Sequence, residues 1–196
     1  MNEKEKMQKG LLYDANYDKE LIAQRLKCKT LCFQYNNLSP DKINQRNNII
    51  KQIIGKTGRN FLIEQPFICD YGYNIEIGEN FYANHNLVIL DPGKVTFGDN
   101  VFIGPGCSFY TPEHPLDVET RNKGLEYAFP IKVGNNVWFG GNVVVLPNVS
   151  IGDNVVIGAG SIVTKNIPPN VIAAGNPCKV IREITDEDKF KFEKRI

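Results

Sequence analysis

Through the second half of the chain, apolar and polar positions keep a six-residue beat. Ile131, Val137, Val143, Val149, Val155 and Ser161 open six consecutive hexapeptides, IKVGNN, VWFGGN, VVVLPN, VSIGDN, VVIGAG and SIVTKN. Five of these six first residues are β-branched aliphatics. A helix of period 3.6 would scatter them around its surface, and a plain strand of period two would not end in a turn at every third inward position. The same beat runs upstream through Ile63, Cys69, Ile75, Phe81 and Leu87. It slips by two residues at Asp91-Pro92-Gly93 and resumes at Val95, Val101 and Cys107. A slower clock agrees. The words GENF, GDNV, GNNV and GDNV begin at Gly78, Gly98, Gly134 and Gly152, spaced by 20, 36 and 18 residues. Three hexapeptides make one 18-residue coil, and Gly and Asn tolerate the positive φ of a tight corner. The pattern predicts a parallel β-helix of stacked triangular coils over residues 58–183.

Two stretches break the beat. Residues 1–57 read as a helical cap. One helix spans Asp18 to Asn37, with Leu21, Ile22, Leu26, Leu31 and Phe33 as its apolar residues. A second starts at Ser39-Pro40, with Ser39 as N-cap, carries Ile43, Ile49, Ile50, Ile53 and Ile54, and ends at Gly55. Residues 112–130, PEHPLDVETRNKGLEYAFP, hold three prolines and dense charge, and read as a loop thrown out from the solenoid. Their length nearly equals one coil, so the register survives them. Long loops on rigid solenoids are more often functional than idle. After a last coil that loses strict period, residues 184–196, with Phe190 and Phe192, are expected to form a C-terminal helix over the open end.

Composition narrows the class. A chain of 196 residues with net charge +1 has no field to draw nucleic acid or an anionic membrane. The charged start MNEKEKMQKG has no apolar signal segment, and no apolar run approaches a membrane span. Five cysteines, an odd number without paired CxxC spacing, read as reduced, mostly buried thiols of a cytoplasmic protein.

Several segments together, Gly10-Leu11-Leu12-Tyr13-Asp14, Cys69-Asp70-Tyr71-Gly72-Tyr73-Asn74, Phe81-Tyr82-Ala83-Asn84, His114-Pro115, Gly134-Asn135-Asn136-Val137-Trp138 and Gly175-Asn176-Pro177, resemble the hexapeptide-repeat acetyltransferases of the maltose and galactoside O-acetyltransferase type. The resemblance covers nearly the whole chain. It implies a left-handed coil, acetyl-CoA as donor, a small hydroxyl-bearing acceptor such as a sugar, and a homotrimer with active sites between neighbouring prisms.

It also assigns residues. His114 falls at the family's catalytic histidine. Transfer from a thioester to a hydroxyl needs a base, because the hydroxyl is a poor nucleophile until it loses its proton, and an imidazole suits that task. Glu126, in the same loop, is a candidate to orient the ring. Asp14, Asp70, Tyr73 and Asn84 fall on the acceptor side. Asn84, Gly141, Ala159, Thr164, Lys165, Lys179 and Arg182 fall at acetyl-CoA contacts, the last cations facing phosphate; Trp138, the one tryptophan of the sequence, is either a wall of that site or a subunit contact. Relatives acting on galactosides carry Asp where this chain has Pro92. His85, the only other histidine, reads as structural or exposed. Two histidines do not make the three-histidine zinc site found on the same architecture, so no metal site is expected. A serine, amino-sugar or antibiotic acceptor, and a non-catalytic β-helix scaffold, are the competing functions.

Overall fold

The structure, a computed structural model, describes residues 1–191. From Phe61 onward, successive short strands fall in turn on three parallel sheets. The first sheet joins Phe61–Ile63, Phe81–Ala83, Phe102–Ile103, Val137–Phe139, Val155–Ile157 and Val171–Ala174. The second joins Phe67–Cys69, Leu87–Leu90, Ser108–Tyr110, Val144–Val145 and Ile162–Val163, and the third joins Ile75–Glu76, Val95–Phe97, Ile131–Val133 and Ser150–Ile151. This is the parallel β-helix that the repeats predict, including the two-residue slip before Val95. The hexapeptide-opening residues from Ile131 to Ser161 are all buried, and inside the coils Phe81, Phe97, Phe109 and Phe139 stack edge to face with centroids 5.0–5.3 Å apart.

The repeated corner word divides its labour. The asparagines take the positive φ, 55° at Asn80, 57° at Asn100 and Asn136, and 54° at Asn154. Their amides bond up the stack, Asn60 to Asn80 at 2.7 Å and Asn80 to Asn100 at 2.9 Å. The glycine serves another need, close approach. A Cβ on Gly98 would sit 2.5 Å from Asn135 Oδ1 and 2.8 Å from the Gly134 carbonyl carbon.

The slip at Asp91-Pro92-Gly93 is a bonded corner. Asp91 Oδ1 accepts from the backbone of Asp70 at 3.0 Å and Tyr71 at 2.8 Å, while Asn74 Nδ2 donates to the Asp91 carbonyl at 2.7 Å. Asp91 is fully buried and its Oδ2 has no partner. Burial therefore pushes its carboxyl up to about 7.

The cap comprises α1 (Glu3–Gln8), α2 (Lys19–Asn36) and α3 (Ile43–Ile53). Asp18 caps α2 by accepting from Leu21 N at 2.8 Å. Its buried stripe is Leu21, Cys28, Cys32 and Tyr35, whereas Ile22, Leu26 and Phe33 are exposed, contrary to expectation. The stripe is set by contact with the Phe67–Cys69 strand, which accepts small thiols. Helix α3 begins later than Ser39-Pro40 predicts. The Ser39 hydroxyl is taken by Asp41, residues 39–42 close a turn, and Lys42 caps α3 without a side-chain bond. Gly55 does follow α3, but Ile54 is its cap, in extended conformation; Gly55 is needed because Tyr73 backbone lies where a side chain would start.

The loop is an ordered arm. Pro112–Glu113 and Leu125–Ala128 pair antiparallel, Leu125–Ala128 also pairs with Tyr13–Asp14, and a short helix, α4 (Val118–Asn122), fills the bend. At the far end, Lys179–Glu183 folds back antiparallel on the first sheet, followed by a 3₁₀ turn at Asp186–Phe190 in place of the first part of the expected terminal helix. The rest of that helix, with Phe192, lies outside the described residues.

Candidate active site

The arm positions His114. Its strand pairing sets Glu126 opposite Tyr13, whose hydroxyl donates to Glu126 Oε2 at 2.8 Å. His114, half exposed, and Glu126 line a cleft of about 270 Å³ together with Arg25, Lys29, Asp70 and Pro92. His114 Nδ1 lies 3.1 Å from the Leu125 carbonyl. A carbonyl only accepts, so Nδ1 carries the proton and the neutral ring presents the lone pair at Nε2. Glu126 Oε1 lies 3.7 Å from Nε2, beyond hydrogen-bond range. The backbone, rather than Glu126, orients the ring. Burial pushes the Asp70 carboxyl above its ordinary range, partly offset by Lys29 and Arg25.

Arg25 and Lys29 escaped the sequence reading. They stand one turn apart on α2, a basic pair resembling any solvated helix face until the helix docks beside His114. Arg25 is fixed by the Tyr71 hydroxyl and the Ala15 carbonyl. Pro92, the departure from galactoside-acting relatives, lines the cleft itself.

The other acceptor-side candidates are not gathered there. Asp14 accepts from Asn16 N at 3.1 Å and Tyr17 N at 2.9 Å, closing its own turn. Tyr73 donates to Gln24 Oε1 at 2.8 Å and lines a different cavity. Asn84 Oδ1 accepts from His85 N at 2.7 Å. His85 is exposed with Nδ1 2.6 Å from the Gln65 carbonyl, away from the cleft.

The donor-side candidates fall into four places. Asn84, Gly141 and Ala159 lie along the corner between the first and second sheets, where Gly160 N donates to Gly141 O at 2.9 Å. Thr164 and Lys165 are exposed on the following corner, and Lys179 and Arg182 on the terminal strand. Arg182 forms a two-pronged pair with Asp188, at 2.7 and 2.8 Å. That pair raises the guanidinium and lowers the carboxyl. Trp138 is 55% exposed, in register between Phe102 and Val156.

Comparison with known proteins places this arrangement. A family model described as the maltose acetyltransferase hexapeptide capping motif matches residues 6–58, and one described as bacterial transferase hexapeptide (six repeats) matches residues 130–165. The galactoside O-acetyltransferase of Escherichia coli is 52% identical over 174 residues, 89% of this chain and 86% of that protein. The chain belongs to the hexapeptide-repeat acetyltransferases. A putative acetyltransferase of Saccharomyces cerevisiae is 56% identical over 179 residues, 91% of either chain. Among solved structures, a maltose O-acetyltransferase from Clostridium difficile superposes with TM-score 0.93 at 50% identity, covering 95% of this chain and 99% of that one. A galactoside acetyltransferase in complex with coenzyme A superposes with TM-score 0.94 at 48% identity, covering 98% and 96%.

Proposed function

We propose that the protein is an O-acetyltransferase that moves acetyl from acetyl-CoA to a hydroxyl of a sugar or similar small acceptor, with His114 as general base. The observation that carries this reading is the His114 tautomer: a backbone carbonyl holds Nδ1–H, so Nε2 is free to take a proton inside a cleft. Asp70, Lys29 and Arg25 supply acceptors and donors for neighbouring hydroxyls of the substrate. As the hydroxyl oxygen attacks the thioester carbonyl, Nε2 takes its proton, and Glu126 steadies the imidazolium. The C–S bond breaks, and the imidazolium returns the proton to the departing sulfur or to solvent. The acetyl ester and the free thiol account for all atoms.

The residues suit acetyl-CoA. Apolar outward positions provide walls for its arm, Gly160 has no atom within 4 Å of where a side chain would begin, and Lys179 offers a cation. Arg182 must exchange Asp188 for phosphate to serve there.

A homotrimer goes with this reading. The outward ladder of the first sheet reads Leu62, Tyr82, Phe102, Trp138, Val156, and that of the second Ile68, Val88, Ser108, Val144, Ile162. The third is polar: Glu76, Thr96, Lys132, Ser150. Two apolar faces meeting at one edge suit threefold packing, which would bury both and leave the third wet. Five free, buried cysteines suit a reducing cytoplasm. Among the described residues no helix is long and apolar enough to cross a membrane.

A thiol-release assay with acetyl-CoA against glucose, maltose, galactosides, serine, glucosamine and chloramphenicol tests the reading. Acceptor-dependent thiol with a sugar is expected; release only with serine, amine or antibiotic acceptors moves the acceptor class, and none with any overturns the enzyme.

A further inference from the structure

The cap meets the first coil through three cysteines. Cys28 and Cys32 stand one turn apart on α2, and Cys69 ends the Phe67–Cys69 strand. Cys69 Sγ lies 3.5 Å from Cys28 Sγ and 3.8 Å from Cys32 Sγ, and all three sulfurs lie within 4.8 Å of one another. All three side chains are at least 95% buried. The other two cysteines stand apart, Cys107 bonded to the Gly140 carbonyl at 3.1 Å and Cys178 in the last coil.

We propose that Cys28, Cys32 and Cys69 form a three-thiolate site for a thiophilic d10 cation, copper(I) or zinc(II), that ties the helical cap to the β-helix. Soft sulfur donors select such ions. With metal–sulfur bonds of roughly 2.3 Å, ligand sulfurs stand about 3.8 Å apart in a tetrahedral site and about 4 Å apart in a trigonal one. The two separations from Cys69 already approach that spacing and the third lies within 4.8 Å, so coordination needs shifts of less than about an ångström. Each thiol that coordinates releases its proton to solvent.

The ion also has a way in. A cavity of about 320 Å³ reaches Cys28, with Lys4 and Lys27 also in its lining. Among the described residues no fourth His, Cys, Asp or Glu atom joins the group. Three donors favour copper(I); zinc(II) would complete its tetrahedron with water from the cavity. The same α2 carries Arg25 and Lys29 into the His114 cleft, so the ion would hold two cleft residues in place.

The test uses full-length protein, reduced and stripped by a chelator. It is titrated in one arm with copper(I) against a chromophoric copper(I) chelator, and in the other with zinc(II) against a zinc indicator. Uptake of one equivalent in either arm, with sulfur-only first-shell scattering for copper(I) or sulfur plus one light atom for zinc(II), is expected. The melting temperature should rise by roughly 5–10 °C at a hundredfold excess of free ion over Kd. Cys28→Ser and Cys32→Ser should abolish uptake, and Cys107→Ser should keep it. Failure of wild type to take up either ion overturns the site whether or not the variants fold; so does uptake that survives Cys28→Ser and Cys32→Ser combined.

Discussion

At the residue scale, the proposed function rests on one tautomer. His114 sits in an arm outside the coils and is half exposed, so His114→Ala should fold with an unchanged circular dichroism melt. Loss of a positioned base should lower kcat and kcat/KM together by roughly 10²- to 10⁴-fold, with the acetyl-CoA KM nearly constant. Steady-state kinetics showing near wild-type kcat would remove His114 from the chemistry. On the donor side, Lys179→Ala and Arg182→Ala should each raise the acetyl-CoA KM more than they lower kcat, and less so at high salt. Because Asp188 occupies Arg182, Asp188→Asn should lower that KM; an unchanged KM in all three variants would place phosphate elsewhere.

At the element scale, corners do as much as strands. Gly98→Ala would drive a Cβ into the backbone of the next coil at Gly134 and should cost about 2–3 kcal/mol. Asn100→Gly keeps the positive φ and loses two exposed amide bonds, one from Asn80 and one to Asn136, so it should cost about 1 kcal/mol. Chemical denaturation of both variants checks the order; equal costs would contradict the division between glycine and asparagine. The Asp91 corner carries a pH dependence. Its carboxyl titrates near 7 when folded and lower when unfolded, so the folded state binds the extra proton between those values. Stability should therefore fall as pH rises from about 4 through 7, by on the order of 3 kcal/mol from this group, and level off above. Asp91→Asn keeps an oxygen for the Asp70 and Tyr71 amides and should flatten that stretch of the melting-temperature profile. An unchanged slope would assign it to other groups.

At the scale of the whole molecule, the arrangement of apolar faces is the informative feature. A lone prism would expose Phe102 and Trp138 at 49% and 55%. Sedimentation at micromolar concentration should show a trimer, and Phe102→Glu with Trp138→Glu should yield monomers of lower melting temperature. A wild-type monomer would refute the threefold packing.

The repeats alone determined the strands, the inward positions, the two-residue slip and the loop that leaves the register. They could, because each coil touches only its neighbours, so the period written in the chain is the period of the contacts. Family resemblance added His114 and Asp70, and position in the same loop added Glu126; the three share one cleft. Tertiary structure decided the rest. The Leu125 carbonyl sets the ring of His114, Asp14 closes a turn, and α2 buries Cys28 and Cys32 rather than Ile22, Leu26 and Phe33. Arg25 and Lys29 become cleft residues only when that helix docks. Cys69 meets Cys28 across 41 residues of sequence. No local period encodes such meetings; they arise where a non-repeating cap lays its side chains against a repeating surface.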